Sequence, residues 1–283
     1  MSTVRGRVEM GVGAVHRASP LPLMLAGRMV RFTGPIVTLL AVWEALARLR
    51  LVSSVLFPPP SQVVATVVAM AGPQGEYILW SHMALSLYRL GAGFLLAAVV
   101  AVPFGALIGL SPRAYAFFSP ILSILIPIPS LAWVPIAILW LGIGNSTPIF
   151  IVFFTAIFPI IYNAVMGVRS VDQKHLWAAR IMGANTRQLF FGVILPAGLG
   201  HLITGLKLGL SSGWRALVAA EMLAATAYGL GLMIFEARTF LQVEVMYAGI
   251  FALAVLGFLL ENLLFGTVEV RTLQRWGLVR GME

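Results

Sequence analysis

Cysteine is absent from the 283 residues, which excludes a disulfide framework and any thiolate metal site. Charge is scarce as well: Asp, Glu, Lys and Arg make up 10% of the chain, against about 25% in an average soluble domain. The histidines, His16, His82, His175 and His201, are scattered without a His-Glu-x-x-His pattern, so no metal site is expected. No Gly-x-x-x-x-Gly-Lys-Ser/Thr loop occurs. Without that backbone cradle the chain is not expected to hold ATP phosphates. The few polar residues inside apolar runs supply no nucleophile, base and ligand set, so neither enzyme chemistry nor a cofactor is expected.

Hydrophobic residues, by contrast, fill 60% of the sequence, and that excess needs lipid as its solvent. A hydrocarbon core about 30 Å thick takes about 20 apolar residues per helix, which leaves room for roughly six spans and short loops. The reading is an all-α integral membrane protein. The net charge of +9 sits in gaps between apolar runs, a pattern of membrane topology rather than of nucleic-acid binding.

Residues 1–31 carry Arg5, Arg7, Arg17, Arg28 and Arg31 against Glu9 alone and read as a disordered cytosolic tail. Residues 32–283 then form one transmembrane domain. Spans are expected near 32–49, 85–110, 117–141, 149–168, 194–226 and 245–265. Glu44 and Arg48 interrupt the first, and their i, i+4 spacing makes an ion pair a sufficient explanation. Phe57-Pro58-Pro59-Pro60-Ser61 stops any helix, and a short one follows to Met70. The third span holds Pro120, Pro127, Pro129 and Pro135, too many for a regular helix. Broken backbone at membrane depth must be buried by protein or reached by water, which places this span inside the bundle. Ser130 and Trp133 within it are candidates for lining a substrate path, or equally for packing. With both termini cytosolic, thirteen basic residues fall in inside segments and Arg48, Arg50, Arg89 and Arg238 outside, the asymmetry that membrane insertion favours.

The stretch from Val171 to Pro196 is polar and lies between apolar runs. Asp172 is placed to cap a short helix, Gly183 to end it in a left-handed conformation, and Asn185 or Thr186 to begin another. Ala178 and Ala179 let another backbone approach, while Leu176, Trp177 and Ile181 supply apolar area. Such a surface calls for a partner.

This stretch resembles the cytoplasmic signature of bacterial ABC importer permeases: Glu-Ala-Ala, three residues, Gly, nine residues, then Ile-x-Leu-Pro. Ala178, Ala179, Gly183, Leu195 and Pro196 stand at the required spacing, with Val193 at the Ile position and Trp177 in place of the Glu. Within that family the chain is most similar to permeases for nitrate, sulfonate, taurine and bicarbonate. The likeness rests on 57–61, on Ile126-Pro127-Ile128-Pro129-Ser130-Leu131-Ala132-Trp133-Val134-Pro135, on 167–172 and on Ala219-Ala220-Glu221-Met222. The resemblance implies the type I importer permease fold and a homodimer in the bacterial inner membrane. It also implies two copies of a separate ATP-binding subunit, and an extracytoplasmic solute-binding protein that delivers a small, anionic solute. It makes 170–193 the coupling loop.

In the fifth span Lys207, Ser211, Arg215 and Glu221 fall in a stripe about 120° wide, and Gly205, Gly209 and Gly213 fall on the other side. The glycines are expected to dock this helix on its own bundle while the stripe faces a central cavity. Two readings of the stripe stand. Lys207 and Arg215 could draw anions along the route, or Arg215 could pair with Glu221 while Lys207 snorkels. A secondary transporter is the main alternative function, but such proteins carry paired repeats with matching interruptions, and the proline-rich span has no counterpart elsewhere in the chain.

Overall fold

The computed structural model describes residues 21–51, 53 and 55–264. The expected basic tail falls outside these residues up to position 20, as do Arg271, Arg275 and Arg280. The chain divides into two compact units, 1–60 and 61–283.

In the first unit, helix α1 (Leu21–Arg48) runs through the expected first span. It begins at Leu21, so the last eleven residues assigned to an irregular tail, 21–31, are helical. Arg48 bonds Glu44 one turn earlier, as their spacing requires.

The second unit is helical among its described residues. Its elements are α2 (Pro60–Ala71), α3 (Ile78–Leu110), α4 (Pro112–Leu125), α5 (Val134–Leu141), α6 (Ser146–Arg169), α7 (Gln173–Ile181), α8 (Thr186–Leu189), α9 (Leu195–Ala224), α10 (Leu230–Thr239) and α11 (Val243–Leu259). Four apolar stretches are long enough to cross a bilayer: α3, α6, the run from Thr186 to Ala224, and Val243–Asn262. The bent pair of α4 with Ser130–Leu141 makes a fifth, and the two halves meet at 89°.

The break in the third span falls where the prolines stand. A single chain does not bury the span. Most residues from Pro112 to Leu141 are exposed or half-exposed, with Leu122, Val134 and Ala137 the buried hydrophobic ones. The physical requirement is met in the other way: the irregular backbone at 126–130 lines a cavity of about 250 Å³ against α6 and α9.

Helix α6 is the axis of the unit, packed along its length between α3 and α9. Its alanines and β-branched residues form the core with Ala97, Ala101 and Ile108 of α3. On the other flank, Gly205, Gly209 and Gly213 of α9 lie against Asn163, Ile160 and Val152 of α6, so the glycine face docks as expected. Gly167 and Gly198 bring the two helices backbone to backbone. A Cβ on Gly198 would stand 2.8 Å from the Gly167 carbonyl oxygen, a distance that no larger residue tolerates without separating the two helices.

Candidate functional site

Three features of the second unit bear on function: the loop between α6 and α9, a cavity at the proline break, and a buried polar network.

The loop folds as a helix, a turn and a helix. The Asp172 carboxylate accepts from Lys174 N at 2.9 Å and caps α7. Gly183 adopts φ +84° and ends the turn after it. Asn185 then starts α8 with a reciprocal capping box, its side chain accepting from Gln188 N while the Gln188 side chain accepts from Asn185 N, both at 2.9 Å. A π turn over Phe190–Ile194 joins α8 to α9, just ahead of Pro196, whose missing N–H leaves a carbonyl of the preceding turn unbonded. Leu195 opens α9.

The two alanines of the motif part company. Ala179 points inward, buried with Val171, Leu189 and Ile194, and Leu176 packs against the same cluster. Ala178 is exposed. The outer face carries Trp177 at 59% exposure, Ile181 at 87% and Met182 at 80%. Leu176 therefore anchors the loop instead of adding to its outer apolar area.

The cavity at the proline break is lined by Pro127, Pro129 and Ser130, by Phe154, Thr155 and Phe158 of α6, and by Ser212 of α9. Trp133 packs on Phe154 with ring centroids 4.8 Å apart, and its buried indole N–H has no partner among the described residues. The Thr155 and Ser212 hydroxyls donate to carbonyls of their own helices, at 2.7 Å to Ile151 O and 2.7 Å to Leu208 O. Ser130 thus lines this cavity, while Trp133 stands behind its wall, packed on Phe154.

The polar stripe of α9 divides. Lys207 and Arg215 are exposed, and Ser211 is half-buried. Arg215 Nη1 donates to Ser211 Oγ at 2.8 Å, and Ser211 donates to Glu261, just beyond α11. Glu221 is fully buried and pairs with Arg89 of α3, with Nη1 2.8 Å from Oε1. The expected Arg215–Glu221 pair is not formed, and the helix geometry gives the reason: the two residues occupy opposite edges of the stripe, about 120° apart and about 9 Å along the axis.

The network around Glu221 joins four elements. Its carboxylate accepts from Arg89, from Ser86 Oγ at 2.9 Å and from Gly231 N at 2.9 Å. Ser86 Oγ accepts in turn from Leu230 N at 2.9 Å. The rest of the Arg89 fork holds Asn145, with Nε at 3.0 Å and Nη2 at 2.7 Å from Oδ1. His82 Nδ1 lies 3.0 Å from Gly229 N and 2.8 Å from its carbonyl oxygen. Gly229 itself has φ +155°, and a Cβ there would meet Arg89 Nη1 at 2.6 Å. Thus α3, the start of α6, the end of α9 and the start of α10 are tied together. This knot sits about 30 Å along α3 from the end that adjoins the loop between α6 and α9.

Sequence reasoning missed this network. Arg89 is counted there among the outside basic residues, near the start of the expected second span, and the structure buries it within α3. A signal was available: His82, Ser86 and Arg89 recur at i, i+4 and i+7 in an otherwise apolar helix, which puts them within about 60° of one another.

Comparison with known proteins adds a family. Residues 101–266 match the model of the binding-protein-dependent transport system inner membrane component. The taurine transport system permease protein TauC of Escherichia coli is 40% identical over 244 residues, 86% of each chain. The putative aliphatic sulfonates transport permease protein SsuC of Bacillus subtilis is 35% identical over 84% of each chain. The nitrate import permease protein NrtB of Synechocystis is 31% identical over 89% of this chain and 92% of that one. Among solved structures, a chain of the inward-facing MetNI methionine ABC transporter superposes with a TM-score of 0.60 at 20% identity. It covers 74% of this chain and all of its own length, and shares the fold.

Proposed function

The chain belongs to the binding-protein-dependent transport system inner membrane components, the permeases of ABC importers, and from this premise we propose a substrate, a coupling site and a set of partners. The substrate is a small anion of the sulfonate, taurine, nitrate or bicarbonate class, the compounds for which the relatives are named. Two copies of the chain form the path in the cytoplasmic membrane, with both termini cytosolic. Two copies of an ATP-hydrolysing subunit dock on the loop 170–193, and a solute-binding protein delivers the anion from outside. ATP chemistry belongs to the partner subunit.

The observation that carries this reading is the outer face of α7 and its turn. Trp177, Ile181 and Met182 expose apolar area on a loop that its own caps hold rigid. An exposed apolar patch with a polar rim marks an interface. Trp177 extends that patch at the position where the family motif has an acid, so contact here is apolar where relatives could use charge. Purification of the tagged chain from native membranes is expected to recover an ATPase, and deletion of 172–190 to lose it. Recovery of a folded, transporting chain with no ATPase would overturn the reading.

As the group that attracts the anion we propose the exposed cation Lys207 on the polar side of α9, about 140° around the helix from Ser212 of the cavity at the proline break. An exposed ionic contact contributes up to about 1 kcal/mol, so Lys207→Met is expected to lower anion uptake up to about fivefold and leave a neutral analogue unaffected. Unchanged selectivity would remove Lys207 from the path, leaving Ser130 and Trp133 as the candidates there.

A further inference from the structure

Beside the coupling loop lies an open-sided chamber of about 510 Å³. The end of α3, the end of α6, α7 and α8 border it, and the exposed Arg169, Arg180, Gln173 and Thr186 are among its lining residues, with no carboxylate. Arg169 is held in place over the Tyr115 ring, with its guanidinium carbon 3.9 Å from the ring centroid. Neither arginine has an ion-pair partner among the described residues.

A second cavity of about 250 Å³ adjoins it and is almost wholly apolar, walled by Val102, Pro103, Ala106, Gly198 and Leu202. Val168, Phe190 and Ile194 line both. A basic chamber at the edge of the apolar spans therefore shares a wall with an apolar one between the spans.

We propose that this pair of chambers binds an anionic phospholipid, with the phosphate between Arg169 and Arg180 and an acyl chain in the cavity beside Pro103. Basic pockets between spans on the cytoplasmic side suit anionic headgroups, and the apolar cavity offers a free inorganic anion nothing. The π turn at 190–194 forms part of both walls, so an occupying lipid braces the joint through which the coupling loop meets α9. The lipid thereby supports coupling, independent of the identity of the transported solute.

The test is to purify the permease in a mild detergent and count retained phosphatidylglycerol by native mass spectrometry. Each cation near an anionic headgroup changes affinity about fivefold. Arg169→Gln is expected to cut phosphatidylglycerol retention by about that factor and leave phosphatidylcholine unchanged, and Ala106→Phe, which fills the apolar cavity, to cut it while the arginines remain. Uptake in vesicles of phosphatidylcholine with added phosphatidylglycerol should exceed that in phosphatidylcholine alone, less so for Arg169→Gln. Equal retention by wild type and both variants overturns the proposal. Stimulation by soluble glycerophosphoglycerol in neutral vesicles overturns it too, since that assigns the arginines to a free anion. Lipid retention is read on the permease alone, so it stands or falls separately from recovery of the ATPase.

Discussion

Arg89→Met is expected to lower the stability of the permease by about 3–5 kcal/mol, the cost of leaving one member of a buried ion pair without its partner. Both side chains of the Arg89–Glu221 pair are 0% exposed, so no water takes over the lost bonds. Ser86 and the Gly231 N–H still reach the Glu221 carboxylate, but two neutral donors do not offset a full charge in an apolar surround. Asn145 loses both of its bonds to the guanidinium as well. Thermal unfolding of the detergent-purified protein reads the loss directly. The double variant Arg89→Met with Glu221→Met should recover most of the midpoint, because an apolar pair of similar volume often replaces a buried ion pair at little cost. If Arg89→Met unfolds at the wild-type temperature, the knot is not what holds these four elements together. If the double variant is stable but fails in transport, the pair matters for more than folding.

Gly229 and Gly231 explain why the knot has no slack. Leu230 N and Gly231 N donate into it, and α10 begins there. The chain reaches the pair only because Gly229 has no Cβ to meet Arg89.

The loop and the knot differ in how far they could be read from sequence, and the difference is one of range. Asp172, Gly183 and Asn185 act on neighbours within three residues, so cap and turn chemistry alone was enough to place α7 and α8. The glycine face of α9 was legible for a related reason, since a four-residue repeat fixes one side of a helix whatever it packs against. The knot joins His82 to Gly231, and no local rule connects residues that far apart. The stripe on α9 misled for a definite reason: a width of 120° was treated as proximity, and its two edges face different neighbours. Burial of the third span is not achieved within one chain. Proline density shows that the backbone breaks, but protein contact and an open cavity satisfy a broken backbone equally well, and here it lines a cavity. Helix α10 has no counterpart in the expected spans, its ten residues being too few to cross a bilayer.

Gly183→Val is expected to uncouple the transporter while leaving the permease folded in the membrane. At φ +84° an L-residue is strained by about 1–2 kcal/mol, and β-branching adds to this. The strain has no steric component from neighbours, because a Cβ at this position meets nothing within 4 Å. Only the backbone objects, and it can relieve itself by changing the angle between α7 and α8. That angle sets where Trp177, Ile181 and Met182 stand relative to the capping box at Asn185. Insertion and yield should be normal, while recovery of the ATPase falls about tenfold, the factor that corresponds to 1.4 kcal/mol. Gly183→Asn separates the causes, since asparagine enters the left-handed region far more readily than valine. It should keep most of the ATPase. Equal losses in the two variants would point to side-chain bulk at the interface, and normal recovery in both would mean that the turn does not set the docking geometry.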